Sequence, residues 1–319
     1  EIGSGLVGSE MCIRDRNNVL MNILELSHVY KRFGSKEVLR DVTFSVPEKC
    51  IFGFIGRNGA GKTTTMKSIL GLIHTDNGEI TICGDRVAYG QNLANRHIGY
   101  LPDVPEFYSY MTAREYLRLC GEVTGMKSAE IKNRSDELLE LVGLANEKHR
   151  IKGYSRGMKQ RLGIAQALIN RPKLLICDEP TSALDPVGRK EILDILSAAR
   201  EQTSVLFSTH ILSDIEKICD SIALLESGNI LISGTISEIK RLRCELDIEL
   251  VLQNSDDARK LFDAFPAAEN RDGVVIFKNA SANQAEPIMS YIVAQHIPII
   301  RFERHEPDLD DLFMEVIGR

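Results

Sequence analysis

The chain has 319 residues, 43% apolar and 26% charged, with a formal net charge of −6. That length suits one large α/β domain plus a small one, and so ordinary a composition excludes the disordered and fibrous classes. The negative balance excludes a general attraction to nucleic acid, which needs a basic face against the phosphates. No run approaches the roughly 18 to 20 apolar residues needed to cross a bilayer, so any membrane role has to come through a partner.

In chain order, Leu6-Val7-Gly8-Ser9-Glu10-Met11-Cys12-Ile13-Arg14-Asp15-Arg16 reads like the translation of a transposon-type library adapter. It has neither a signal-peptide layout nor helical periodicity, so residues 1–20 are expected to be a non-native or disordered leader and Met21 the true start. A flexible native leader is the alternative. From Asn22 to Val46 apolar residues alternate with polar ones (Ile23, Leu24 and Leu26, then Val42, Phe44 and Val46), broken at Gly34-Ser35-Lys36 and Pro47. This predicts an antiparallel strand layer. Ile51 to Ile55 predicts a short buried strand and Lys62 to Leu72 a helix ending near Gly71, with a Gly-rich run between them.

Thr112 to Asn170 has helical spacing, for example Leu138, Leu139, Leu141, Val142 and Leu144, so a helical subdomain at about 104–170 interrupts the α/β core. Buried strands at Leu174 to Cys177 and Ser204 to Ser208, separated by a helix from Val187 to Arg200, predict a parallel sheet. Beyond Gly234 the pattern reads strand (Glu245 to Leu252), helix (Asp256 to Phe265), strand (Val274 to Lys278), helix (Asn283 to Gln295) and strand (Ile297 to Arg304). One more short strand would complete a split β-α-β ferredoxin-like unit. From Lys240 to Arg319 there are 10 Lys and Arg against 15 Asp and Glu, so most of the negative balance lies there. The expected division is a leader at 1–20, a main domain at 21–238 and a small α+β domain at 239–319. The seven cysteines are scattered without a C-x-x-C pair and read as reduced thiols.

Gly56-Arg57-Asn58-Gly59-Ala60-Gly61-Lys62-Thr63 fits G-x-x-x-x-G-K-T between a strand and a helix. Glycines let the loop turn so tightly that backbone N–H groups converge on phosphates, with the positive helix N-terminus behind them. Lys62 neutralises the β and γ phosphates and the Thr63 hydroxyl can hold Mg²⁺. Leu174 to Glu179 reads as a buried strand ending in two carboxylates, where ligand crevices open in α/β sheets. Asp178 suits the Mg²⁺ shell, and Glu179 suits a general base for the attacking water. Alone, such carboxylates are as often helix caps.

Between these motifs lies Tyr154-Ser155-Arg156-Gly157-Met158-Lys159-Gln160-Arg161, which resembles the signature of ATP-binding-cassette (ABC) transporter ATPases of the export type. The resemblance spans about Ile23 to Thr235. It implies an α/β P-loop NTPase cassette with a mixed parallel core sheet, an antiparallel β layer and a helical subdomain, followed by a small α+β C-terminal domain. It further implies ATP contacts from Phe33, stacked on adenine, from Gly56 through Thr63 and Thr64, and from Ser155, Gly157 and Asp185, the last in a loop Ser182-Ala183-Leu184-Asp185 that passes signals across a dimer. Lys62, Glu179 and the switch histidine His210 are the expected catalytic residues, and Thr63, Asp103 and Asp178 the expected metal set. Asp103 stands where many relatives carry glutamine; Arg156 differs from the usual signature glycine but leaves Ser155 and Gly157 in place.

The resemblance implies an ATP- and Mg²⁺-dependent hydrolase on the cytoplasmic side of the plasma membrane, dimerising head to tail, as a homodimer, and powering a separately encoded permease. The tail Glu306-Pro307-Asp308-Leu309-Asp310-Asp311-Leu312-Phe313 resembles the ending of an accessory domain of export-type relatives, read as a dimer-supporting or stabilising element, with regulation as the alternative. A soluble ABC protein acting on ribosomes or DNA would need a second cassette or a long coiled coil and a basic surface. A module that binds ATP without hydrolysing it is argued against by Lys62, Asp178, Glu179 and His210 together. The cargo is left open.

Overall fold

The computed structural model describes residues 21–90, 93–241, 246–254, 257–271, 274–280, 285–305, 309 and 312–313. The expected leader and the polar residues of the tail motif, Glu306 to Asp308, Asp310 and Asp311, lie outside the described residues.

The alternation after Asn22 becomes two twelve-residue strands, β1 (Asn22–Phe33) and β2 (Lys36–Pro47), longer than the short pieces read from the sequence. Between them and their neighbours come β3 (Ile51–Ile55), α1 (Lys62–Ile69), β4 (Asn77–Ile82) and β5 (Asp85–Arg86). β2, β1, β4 and β5 form one antiparallel sheet in that order. α1 ends at Ile69 instead of Leu72 because Leu70 caps it and Gly71, at φ +70°, turns the chain away.

β6 (Ile98–Leu101) leads into the helical part: α2 (Ala113–Val123), α3 (Ser128–Leu141) and α4 (Arg156–Leu168). Thr112 starts α2 with a reciprocal capping box to Glu115. The chain then alternates β7 (Leu174–Asp178), α5 (Pro186–Ala199), β8 (Ser204–Thr209), α6 (Leu212–Ile218), β9 (Ser221–Glu226) and β10 (Asn229–Thr235). The second sheet has the order β10-β9-β3-β8-β7-β6, parallel except for the edge strand β10.

Both faces of that sheet are covered, so its strands are nearly continuous apolar runs. Successive side chains still go to opposite sides. Ile51, Leu175, Cys177, Val205 and Phe207 join the helices in one apolar cluster. Phe52, Phe54, Leu174, Ile176 and Leu206 join α1 and the antiparallel layer in the other.

After α7 (Ile236–Arg241) come β11 (Leu246–Leu252), α8 (Asp257–Ala264), β12 (Ala268–Arg271), β13 (Val274–Ala280), α9 (Ala285–Ala294) and β14 (Ile299–His305). β12 is the extra strand that the split β-α-β pattern lacked, and the sheet order β12-β13-β11-β14 is antiparallel throughout. Its own apolar cluster gathers Ile248, Leu250, Leu261, Phe277, Ile288 and Ile292. Phe265 meets Phe277 and Tyr291 edge to face, with ring centroids 5.6 and 5.5 Å apart.

Among the described residues no helix is long and apolar enough to cross a membrane. Cys50, Cys83, Cys120, Cys177 and Cys219 are all free thiols, while Cys12 and Cys244 lie outside the described residues. Burial pushes the Cys50 thiol up to about 11.

Candidate functional site

The parallel strands deliver the sequence motifs to one edge. β3 ends at Ile55, opposite Thr209 of β8, and Asp178 of β7 sits opposite Ser208 of β8. The phosphate loop, the carboxylate pair and His210 therefore all leave the carboxyl ends of adjacent strands, where α/β sheets open their crevices.

The loop runs from Gly56 to α1, and its last glycine carries the turn. Gly61 is at φ +118°, and a Cβ there would stand 2.9 Å from Leu39 and 3.1 Å from the Val38 carbonyl, so no other residue fits. Ala60 is buried, whereas Arg57, Asn58, Gly59 and Thr63 face solvent and Thr64 is half-buried. Lys62 is 6% exposed and donates to the Gly56 carbonyl at 2.7 Å and that of Arg57 at 3.4 Å.

The ammonium also pairs with Glu179 Oε1 at 3.2 Å, while Glu179 Oε2 faces His210 Nδ1 at 2.9 Å. A single carboxylate thus bridges the phosphate-loop lysine and the histidine after β8. Glu179 has φ +49°, a left-handed conformation unusual for a residue with a Cβ, in the turn directly after β7. Asp178 is buried and accepts from Ser208 Oγ at 2.7 Å, and the same hydroxyl accepts the Glu179 amide at 3.0 Å. Ser208, which sequence reading left as the end of a strand, is therefore the hydroxyl that fixes both carboxylate residues. Its only signal is cross-strand register, which a single sequence does not carry.

Asp103 lies just beyond β6. Its carbonyl accepts from Gln160 Nε2 at 2.6 Å and its carboxylate faces Arg156 Nη2 at 3.5 Å. Desolvation raises the Asp103 pKa, Asp178 and Glu179 add to the rise, and Arg156 opposes it. The residue that departs from the usual signature thus contacts the residue that departs from the usual glutamine. Both line a 420 Å³ groove with Val104, Phe107 and Lys159.

Ser155 is the N-cap of α4, accepting from the Met158 amide at 3.2 Å, and Asp185 is the N-cap of α5, accepting from the Gly188 amide at 2.8 Å. Nothing would crowd a side chain at Gly157 closer than 3.9 Å. The hydrogen bonds of Ser155 and Asp185 are local and do not reach the Lys62–Glu179–His210 group. Phe33 ends β1, 49% exposed, with the Lys31 ammonium 5.2 Å from its ring centroid. The structure thus brings together Lys62, Asp178, Glu179 and His210, sets Asp103 against Arg156, and leaves Phe33, Ser155, Gly157 and Asp185 outside that cluster.

Residues 39–182 match the model of the ABC transporter family, and residues 234–317 match that of the ATP-binding protein DrrA1-3-like C-terminal domain. The chain is 36% identical to the bacitracin transport ATP-binding protein BcrA of Bacillus licheniformis, covering 94% of this chain and 98% of that protein. It is 31% identical to the linearmycin resistance ATP-binding protein LnrL of Bacillus subtilis (strain 168), over 93% and 99% of the two chains. A solved ATP binding subunit of an ABC transporter, 36% identical, superposes with a TM-score of 0.62 over 69% of this chain and 92% of that one. With its P-loop, its paired carboxylates and relatives matched nearly end to end, the chain belongs to the ABC transporter ATP-binding proteins and is the ATP-hydrolysing subunit of such a transporter.

Proposed function

We propose that this subunit drives export as a head-to-tail homodimer at the cytoplasmic face of the membrane, with Glu179 as general base and His210 and Lys62 as its catalytic partners. The bridge from Lys62 through Glu179 to His210, at 3.2 and 2.9 Å, carries the reading. The γ-phosphate of ATP and the Glu179 carboxylate compete for the same ammonium. ATP on the loop from Gly56 to Thr64, with Phe33 against the adenine, takes Lys62 and leaves Glu179 to polarise a water, while His210 turns to the phosphate.

A composite site supplies the rest. Ser155 and Gly157 stand apart from Lys62 in their own chain, at the start of α4, which points the positive end of that helix at the phosphates bound by a second copy. Asp185, the N-cap of α5, is assigned to the same joint in this reading. Separation of a signature from its own P-loop is the geometry that a head-to-tail pair completes. The names of the bacitracin and linearmycin relatives support export, with cargo chosen by the permease.

The donor set for a metal is one hydroxyl, Thr63, and the buried carboxylate Asp178, with Asp103, just beyond β6, as the third. Among the described residues no group of three or more His, Cys, Asp or Glu forms a cage of its own. Few hard oxygen ligands shared with substrate phosphates are what Mg²⁺ prefers. Bound there, Mg²⁺ would neutralise charge on the transferred phosphoryl group.

Glu179→Gln tests the assignment. The amide cannot accept the water's proton, so turnover is expected to fall by about 10²- to 10⁴-fold while ATP binding persists and a dimer accumulates on size-exclusion chromatography. Turnover at the parent rate would overturn it.

A further inference from the structure

α6 has seven residues, too few to hold its own shape in water, and its N-cap Ile211 contributes no side-chain hydrogen bond. Its place is therefore set by what its side chains touch. Asp214, fully buried, accepts from Thr181 Oγ1 at 2.9 Å and from Arg189 Nη2 at 2.7 Å. This ties the helix to the turn after Glu179 and to α5, whose N-cap is Asp185. Ile215 fills the space above Gly53 of β3, where a Cβ would stand 2.5 Å from its Cδ1.

Glu216 lies two residues beyond Asp214, about 200° round the helix, and serves the other side. Its Oε1 accepts the Leu309 amide at 3.2 Å and the Lys240 ammonium at 3.3 Å. Leu309, Leu312 and Phe313 are buried in the apolar cluster of Ile215, Ile222 and Ile239, not in the cluster of the third sheet. The chain thus leaves through α7, builds the third sheet, and returns to the helix that begins two residues after His210.

We propose that α6 transmits position between the returning C-terminal segment and the ATP site, with Glu216 and Asp214 as its positioning residues. The inference rests on assigning Asp185 and His210 to that site. Two carboxylates on opposite faces of one short helix move together. A shift on the Glu216 side obliges Thr181 and Arg189 to follow, because Asp214 drawn away from them would be a buried charge without partners.

Hydrogen exchange by mass spectrometry on the full chain, for the parent, Glu216→Ala and the double variant Leu312→Ala, Phe313→Ala, tests this. Amides of residues 181–189 and 212–218 are expected to exchange about tenfold faster in both variants, with α1 and the β12–β13 hairpin unchanged. Glu216→Gln keeps an acceptor for the Leu309 amide and restores parent exchange. In steady state, Glu216→Ala lowers kcat about three- to tenfold with KM held within about twofold, as expected of an interaction that acts only on the chemical step. Faster exchange confined to the C-terminal peptides and α7, or spread evenly over the chain, overturns the proposal. If the double variant does not fold, Glu216→Ala decides between the same outcomes. A parent chain without ATPase activity would count against the catalytic assignment alone, because the exchange comparison needs no nucleotide.

Discussion

At the scale of single residues, the site is organised by side chains that answer one another's charge. Asp103 is the most informative. Its pKa is raised above the usual aspartate range, foremost by desolvation and further by Asp178 and Glu179, while Arg156 pulls the other way. A raised carboxyl contributes its stability below the ordinary range and loses it as pH rises through the raised value. Arg156→Ala removes the favourable partner and deepens that loss. Both side chains are nearly half exposed, 45% and 46%, so the variant is expected to lose no more than about 1 kcal/mol near pH 7. The gap to the parent, read from urea midpoints, should close as pH falls through the raised value; a gap that persists in acid would mean Arg156 acts by packing. Lys62, Asp178 and Glu179 were legible in the sequence because phosphate and metal chemistry need those groups at fixed spacing. Ser208, Asp214 and Gln160 were not, because each acts across strands or helices far apart in the chain. The Asp103–Arg156 pair was half legible: both departures were visible, and their meeting was not.

At the scale of elements, the parallel core was readable because β3, β7 and β8 are buried on both faces and centre on apolar runs, Ile51 to Ile55, Leu174 to Cys177 and Val205 to Phe207. The second half of the antiparallel layer was not: β4 is short and half polar, β5 is two polar residues, and they become strands by pairing, β4 with β1 and β5 with β4. The contact of α4 with β6 ties two parts of the site together. Gly99 of β6 lies so close beneath α4 that a Cβ there would stand 2.2 Å from the Ala167 carbonyl. A backbone atom cannot swing aside as a side-chain end can. Gly99→Ala is therefore expected to cost about 1–3 kcal/mol and to displace the helix carrying Ser155 from the strand leading to Asp103. Denaturant unfolding measures the first effect, and ATP-dependent dimerisation the second. An alanine variant with parent stability would mean that the contact is looser than the backbone indicates.

At the scale of the whole molecule, a composite site makes a prediction that no intramolecular site shares. In the proposed head-to-tail homodimer, Lys62→Ala and Ser155→Ala each disable both sites. Mixed, they form heterodimers with one intact site, so activity is expected to exceed that of either variant alone, approaching about a quarter of the parent rate if the subunits mix randomly and sites act independently. Absence of any recovery would argue against exchange of signatures between subunits. The change of pattern beyond Gly234 and the acidic balance from Lys240 to Arg319 were visible in the sequence. The return of Leu309, Leu312 and Phe313 to the first apolar cluster was not, since an apolar triplet near a chain end says nothing of which core receives it. One last feature gives the molecule a clock of its own. Cys177 is fully buried in β7, directly before Asp178, and burial drives its thiol far up. A reagent reaches that sulfur only when the strand that ends in Asp178 comes apart, so its labelling rate counts dismantlings of the proposed site. ATP at a hundred times its dissociation constant should slow that labelling about a hundredfold, and labelling indifferent to ATP would place the nucleotide away from β7.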